Sequence, residues 1–180
     1  MPRLSREDLD QFLGDYMVAH IATVAADGSP YVVPGGFLYT GDAILMTPRG
    51  RALWYDHIVR DPRVALSIDE VQAPNRKVTV AAARAEILFA PGHETEWLDT
   101  ARQVAIKAFG DEGVDHYLAT TGHVPRALMS IPFEYPSPVV TTWRPEVRGD
   151  DLSGMWPARY GIVSTEHRSD APVFEGWKAR

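Results

Sequence analysis

Cysteine is missing from all 180 residues of this sequence. The chain therefore has no disulfide, no zinc–thiolate site and no cysteine nucleophile. It also lacks any apolar run approaching the roughly 20 residues that a membrane-spanning helix requires. Its first ten residues, MPRLSREDLD, are too polar for a secretory signal. These absences favour a soluble, globular, cytoplasmic protein.

Positive charge is also scarce, because 18 Lys and Arg residues stand against 24 Asp and Glu residues and the net charge is -6. An acidic chain is poorly suited to non-specific binding of nucleic acid or of an anionic membrane surface. Hydrophobic residues make up 45% of the sequence, which is enough for a core of ordinary size. The length predicts one domain followed by a tail.

The stretch from Ile44 to Asp69 organises the rest of the chain. It is typical of a strand, a basic turn, a short helix and a second strand. Asp61-Pro62 ends the helix, because proline lacks a backbone donor and disfavours helical geometry before it. Val64, Leu66 and Ile68 then alternate with Ala, Ser and Asp, which is the period of a half-buried strand.

The basic turn, Thr47-Pro48-Arg49-Gly50-Arg51, places one hydroxyl and two guanidinium groups between a strand and a helix. A phosphate carries up to two negative charges, and arginine offers a planar fork of donors to it. The start of a helix also attracts anions. The turn therefore predicts a phosphate site at Thr47, Arg49 and Arg51, and the simpler alternative is that both arginines are solvated turn charges.

The first quarter of the chain predicts a helix and a hairpin. Residues 5–14 have an apolar face and a capping box that begins at Ser5. Asp27-Gly28 is the signal of a tight hairpin turn, and residues 30–39 form the return strand. Pro34-Gly35-Gly36 inside this strand predicts either a bulge or the close approach of a ligand to the backbone.

The later part of the chain continues the same alternation of strands and helices. The predicted elements are a long strand over 77–89, a helix over 93–109 closed by Gly110, a short helix over 111–119 and strands over 126–131 and 139–143. Beyond residue 144 no periodicity holds. The sum is an antiparallel sheet of about six strands with flanking helices, which is an α+β or antiparallel-barrel fold.

The order of these elements resembles the flavin-binding split-barrel superfamily of pyridoxamine 5'-phosphate oxidase-like proteins and flavin/deazaflavin oxidoreductases. The resemblance rests on HIATVAADGSPYVVPGGFLY, on ILMTPRGR followed by RDPRVALSID, and on AIKAFGDEGVDHYL with RALMSIPFEYPSPVVTTWRPE. It implies a mainly β, six-stranded antiparallel split barrel of Greek-key topology over residues 1–147. Residues 148–180 lie outside the family's pattern, and we expect this extension to pack on the barrel or on a partner subunit.

The resemblance also implies a homodimer with FMN in clefts between the two subunits. The phosphate would lie near Thr47, Arg49 and Arg51, and the ring would lie along strands that correspond to residues 32–36 and 45–47. Lys77 would contact the cofactor from the second subunit, and Trp143 would pack near the ring. The cofactor-binding residues that we expect on this basis are Val33, Pro34, Gly35, Leu45, Met46, Thr47, Arg49, Arg51, Lys77 and Trp143.

The implied activity is FMN-dependent hydride transfer to or from a small organic molecule, with no obligatory catalytic side chain. The arginine-x-histidine element of true pyridoxamine 5'-phosphate oxidases is absent, so we do not expect vitamin B6 oxidation. His93, Glu94 and Glu96 lack the spacing of a metal site. The alternatives are an F420-dependent reductase of the same fold and a non-catalytic flavin- or haem-binding protein.

Overall fold

The structure, a computed structural model, describes residues 3–15, 18–70 and 76–143, which belong to one compact unit. The predicted domain boundary at residue 147 and the 148–180 extension lie outside the described residues. The helices are α1 (Arg6–Gly14), α2 (Leu53–Arg60) and α3 (Leu98–Thr121). None of them combines the length and the apolar character needed to cross a membrane.

The described strands form one antiparallel sheet. They are β1 (Val18–Val24), β2 (Pro30–Tyr39), β3 (Ala43–Met46), β4 (Arg63–Asp69), β5 (Lys77–Arg84), β6 (Glu86–Phe89), β7 (Leu128–Pro132) and β8 (Val140–Trp143). Their order across the sheet is β6-β7-β3-β2-β1-β4-β5-β8. The predicted antiparallel sheet with flanking helices is confirmed. The predicted six-stranded barrel is wrong, because the sheet has eight strands and its edge strands β6 and β8 do not pair.

One of the additional strands arises because residues 77–89 form two strands rather than one. β5 pairs with β4 and β8, whereas β6 pairs with β7 at the other end of the sheet. The single residue Ala85 joins β5 to β6, and its N–H donates to the carbonyl of Pro62 at 2.8 Å. Since one residue connects the seventh strand in the sheet to the first, the sheet must curl until these strands lie close together.

The curled sheet encloses the hydrophobic core, and α1 packs against it. The predicted capping box is confirmed, because the Ser5 side chain accepts from the Asp8 N–H at 3.0 Å while the Asp8 carboxylate accepts from the Ser5 N–H. The apolar face of this helix is completely buried. The largest fully buried side chains come from α1, from α2 and from five strands: Phe12, Phe37, Leu9, Leu13, Ile21, Ile44, Met46, Ile58, Leu66, Ile68, Met129 and Ile131.

The β1–β2 hairpin turns at Gly28, whose φ of 84° requires glycine. The pairing then runs without a register shift from Val24 opposite Pro30 to Val18 opposite Gly36. The predicted bulge at Pro34-Gly35-Gly36 is therefore wrong. On its other side β2 pairs with β3 only through residues 37–39, so residues 30–36 have a strand partner on one side alone.

The long helix α3 begins later than predicted and includes both predicted helical segments. Glu94–Glu96 form a single turn of 3-10 helix, and α3 starts at Leu98. Gly110 has φ 72° and ψ 171°, a conformation that is essentially restricted to glycine, and it kinks the helix there. The predicted end at Gly110 and the second helical segment after it are thus confirmed as two parts of one kinked element.

Candidate functional site

A cavity of about 420 Å³ lies where β2, the segment after β3 and helix α3 meet. This volume is within the range of about 300–1,000 Å³ that small-molecule sites occupy. Most of its wall is apolar or aromatic, with a few charged groups. The lining residues are Val33, Pro34, Gly35, Gly36, Thr47, Arg49, Ala52, Trp54, Glu94, Trp97, Leu98, Ala101, Val104, Ala105, Ala108, Phe109, Tyr117, Leu118, Gly122 and Arg126.

The two glycines of β2 allow neighbouring elements to approach the strand closely. A Cβ on Gly36 would lie 2.9 Å from the Cβ of Ala108 on α3, which is too close for two carbon atoms. A Cβ on Gly35 would lie 2.9 Å from the terminal methyl of Met46. The glycine pair thus brings α3 against the open side of β2 and forms one wall of the cavity.

The basic part of the cavity is built by two segments that extend the β3–β7 ladder. Arg49 and Arg126 form an antiparallel bridge in the same register as the pair Met46–Met129. The N–H of Gly50 donates to the Pro125 carbonyl at 2.8 Å, and that of Ala127 donates to the Pro48 carbonyl at 3.0 Å. These flanking bonds make the arginines a non-hydrogen-bonded pair, in which side chains stand closest. The two arginines therefore lie side by side on the cavity wall.

The side-chain hydrogen bonds of Arg126 all go to neutral acceptors. Its guanidinium donates to the Tyr117 hydroxyl at 2.7 Å, to the Thr121 hydroxyl at 3.3 Å and to the Thr47 carbonyl at 3.4 Å. Within residues 3–15, 18–70 and 76–143, neither Arg49 nor Arg126 forms an ion pair. Neither guanidinium is therefore paired directly with a carboxylate.

Glu94 is the acidic group of the cavity wall. Its Oε1 accepts the N–H of Gly92 at 3.0 Å and the N–H of Arg126 at 2.7 Å. These backbone hydrogen bonds hold the pKa of Glu94 below its ordinary value, so the side chain is ionised at neutral pH. Its role is to fix the backbone at the start of the Arg126 segment, and its charge partly offsets those of the two arginines.

Aromatic side chains supply flat walls. The rings of Phe109 and Tyr117 stack across the kink of α3 with centroids 4.2 Å apart. Trp54 and Trp97 also line the cavity. The indole Nε1–H of Trp97 is buried and has no hydrogen-bond partner in the part of the chain that the structure describes. Aromatic walls of this kind suit a planar ligand.

Five of the ten residues expected to bind a cofactor lie together in this cavity: Val33, Pro34, Gly35, Thr47 and Arg49. Leu45 and Met46 lie behind them on β3, and Met46 is fully buried in the core. Arg51, two residues after Arg49, is exposed and is not part of the lining.

Lys77 and Trp143 lie elsewhere in the sheet. They are directly opposite each other on β5 and β8, and the Lys77 Nζ is 5.4 Å from the centroid of the Trp143 ring. Neither lines the cavity. Their contact with a cofactor held between two subunits stays a prediction.

Sequence reasoning missed Arg126 and the whole contribution of α3. Arg126 was predicted only as the first residue of a strand, and its pairing partner is far away in the sequence. The helix predicted over 93–109 carries Val104, Ala105 and Ala108 on the side that lines the cavity. The small size of these residues on one face of the helix was the signal that a neighbour lies close.

Comparison with known protein families identifies the chain. The family model described as pyridoxamine 5'-phosphate oxidase matches residues 5–128, which is more than half of the sequence. The chain belongs to the pyridoxamine 5'-phosphate oxidase family. The match includes β2, the basic turn, and α3, but it ends at the first residue of β7. No curated protein sequence matches the chain significantly.

Solved structures of this family's fold superpose on the chain. A conserved hypothetical protein from Mycobacterium tuberculosis is 20% identical with a TM-score of 0.60, covering 78% of this chain and 85% of its own. An F420 reductase is 19% identical with a TM-score of 0.50, covering 68% and 90%. The haem storage protein HutZ from Vibrio cholerae is 18% identical with a TM-score of 0.57, covering 80% and 96%. At these identities the likeness shows the fold alone.

The residues of the cavity fit a phosphorylated planar cofactor. Two guanidinium groups and the Thr47 hydroxyl are donors suited to a phosphate. The aromatic walls match a flat ring system. Phosphate donors and flat walls within one cavity are the two requirements that a flavin mononucleotide places on a protein.

Proposed function

We propose that this protein is an FMN-dependent oxidoreductase that transfers hydride to or from a small organic molecule. The observation that carries the proposal is one cavity that joins Thr47 and Arg49 to the open side of β2 at residues 33–36. Membership of the pyridoxamine 5'-phosphate oxidase family supports the same class of chemistry.

The proposed roles of the residues follow from their chemistry. Arg49 and Thr47 hold the phosphate by charge and by hydrogen bonding. The backbone of Val33–Gly36 lies along the ring, and the aromatic walls exclude water. A bound flavin supplies the hydride chemistry itself, whereas the protein supplies binding and orientation. No side chain in the cavity needs to act as an acid or a base for this reaction.

We propose that the active form is a homodimer, with each cofactor held between the two subunits. Large apolar side chains are exposed on β2 and α2, including Val32 at 60%, Leu53 at 62% and Val59 at 59%. Apolar surface of this kind favours an interface with another protein surface. In such a dimer Lys77 and Trp143 are the candidates for contacts from the second subunit.

Binding of FMN is the first test. The purified protein is examined for a co-purifying chromophore by absorbance and mass, and the apoprotein is titrated with FMN while flavin fluorescence is followed. We expect an affinity in the micromolar range or tighter, with one FMN per chain. A chain that carries no flavin and shows no FMN affinity at micromolar concentration would contradict the proposal.

Titration with F420 under the same conditions decides the cofactor. The phosphate and the polyglutamate tail of F420 also favour basic residues, so the two arginines are compatible with it. A clear preference for F420 over FMN would replace the first proposal by an F420-dependent reductase. A reduced nicotinamide is then added with a panel of electron acceptors. A bound cofactor that is never reduced would instead favour a non-catalytic binding protein.

A further inference from the structure

The pairing of Arg49 with Arg126 is electrostatically unfavourable in the protein alone. They stand directly opposite each other on adjacent segments, in the type of pair that brings side chains closest. Like charges in this arrangement destabilise a sheet. In the described part of the chain neither guanidinium forms an ion pair with a carboxylate. An anion bound between the two guanidinium groups would remove this repulsion.

The structure also holds the guanidinium of Arg126 in a defined position. Tyr117 and Thr121 on α3 accept hydrogen bonds from its Nη2 at 2.7 Å and 3.3 Å, and the Thr47 carbonyl accepts from Nη1 at 3.4 Å. The ring of Tyr117 lies 5.4 Å from its Cζ. A guanidinium held by neutral partners, with no direct ion pair to a carboxylate, can still form charged hydrogen bonds to a ligand.

We infer that Arg126 is a second binding residue for the cofactor's phosphate, and that with Arg49 it selects a phosphorylated flavin over the unphosphorylated ring. This inference rests on the proposed function, because it concerns the same cavity. Arg126 follows α3 in the sequence, whereas the basic turn precedes that helix. The phosphate would be held from both segments of the extended β3–β7 ladder.

Glu94 makes it possible to test the direction of the electrostatic effect on phosphate binding. Its carboxylate lines the same cavity and accepts the backbone N–H of Arg126. The negative charge of Glu94 opposes the binding of an anionic ligand, whereas the positive charge of Arg126 favours it. Glu94→Gln keeps an acceptor for the backbone hydrogen bonds and removes the charge. Neutralising Arg126 and neutralising Glu94 must therefore change phosphate affinity in opposite directions.

The experiment measures the dissociation constants of FMN and riboflavin for the wild type, Arg126→Gln, Glu94→Gln and the control Arg84→Gln. Arg84 is exposed on β5 and does not line the cavity. We expect Arg126→Gln to weaken FMN binding by about tenfold or more, the size of one charged hydrogen bond. Riboflavin affinity should change by less than about twofold, Glu94→Gln should tighten FMN binding, and Arg84→Gln should change neither.

The other outcomes contradict either the role of Arg126 alone or both this role and the binding of FMN. An equal loss of FMN and riboflavin affinity in Arg126→Gln would mean that Arg126 only positions α3, and it would overturn the inference. If that variant does not fold, an unchanged FMN affinity in Glu94→Gln overturns it instead. A wild type that binds both flavins equally also overturns it, while leaving the proposed function intact. A wild type that binds neither flavin overturns both.

Discussion

At the scale of single residues, the position of each arginine in the basic turn decides whether its side chain lines the cavity. Arg49 and Arg51 are chemically identical and two residues apart, but Arg49 lines the cavity and Arg51 is exposed outside it. The difference arises because Arg49 continues the pairing of β3 with the segment before β7, opposite Arg126. Arg51 lies in the turn that follows this bridge, where the strand pairing has ended and no longer directs the side chain towards the cavity.

The first prediction separates these two arginines. Arg49→Gln should weaken FMN binding by about ten- to a hundredfold, because it removes a charged hydrogen bond to the phosphate. Arg51→Gln should have a much smaller effect. The FMN dissociation constants of both variants are measured by fluorescence titration at one ionic strength, since salt screens exposed charges. A larger loss in Arg51→Gln than in Arg49→Gln would place the phosphate at the other arginine.

A second residue, Lys107, couples α3 to the end of α1. Its side chain is buried, donates to the Leu13 carbonyl and places Nζ 3.9 Å from the centroid of the Phe37 ring. Burial lowers the pKa of Lys107 from its ordinary value of 10.5 to about 8, although the carboxylate of Asp15 opposes this shift. Lys107 thus fastens α3 across β2 from the side away from the cavity lining.

The pH dependence of stability follows from this shift. Between pH 8 and 10.5 the unfolded chain keeps a proton on Lys107 that the folded chain loses, so the free energy of unfolding rises with pH in that window. Below pH 8 the cost of burying the charge is fully present. The rise amounts to at most about 3 kcal/mol. Urea unfolding of the wild type and of Lys107→Met is measured from pH 7.5 to 10.5. The free energy of unfolding should rise with pH through the titration of residue 107 in the wild type alone. Parallel plots of this free energy against pH for the two proteins would contradict the prediction.

At the scale of secondary-structure elements, the contact of α3 with β2 determines the width of the cavity. Gly36 and Ala108 meet at a distance that leaves no room for a methyl group on the strand. Gly35 faces the flexible end of Met46 instead, which can rotate away. The two neighbouring glycines therefore differ in how strictly the structure requires them.

This difference gives a double-mutant test. Gly36→Ala should destabilise the protein by about 1–3 kcal/mol, because overpacking forces α3 to move. Gly35→Ala should destabilise the protein by less than Gly36→Ala does. Ala108→Gly alone should cost about 1 kcal/mol from helix propensity, but it should offset part of the cost when combined with Gly36→Ala. Urea denaturation of the four variants measures the coupling, and strictly additive effects would show that the helix does not press on the strand.

At the scale of the whole molecule, the exposed apolar residues of α2 and β2 bear on assembly. Leu53 is 62% exposed at the first position of α2, where an aspartate would suit the helix dipole. We expect light scattering to give twice the mass of one chain for the wild type. Leu53→Asp should give the mass of one chain and bind FMN less tightly, with an unchanged far-ultraviolet spectrum. A variant that stays dimeric would exclude α2 from the interface.

Much of the fold was predictable because its signals are local. The capping box at Ser5, the turn at Gly28 and the helix break at Gly110 each depend on a few neighbouring residues and on backbone geometry that glycine or a hydroxyl side chain alone provides. The strand and helix periods are local as well. The errors occurred where tertiary pairing decides, as at Ala85, where one predicted strand becomes two with different partners.

The sequence by itself determined the antiparallel α+β class and the family, and it supplied the prediction of a phosphate site at the basic turn, with Val33, Pro34, Gly35 and Thr47 among the cofactor candidates. Only the tertiary structure decided that Arg49 rather than Arg51 faces the cavity, that Arg126 stands opposite it, and that α3 forms the other wall. The reason is that these contacts join segments on opposite sides of a long helix. Which residues meet across such a distance depends on the register between β3 and β7, and no run of neighbouring residues encodes that register.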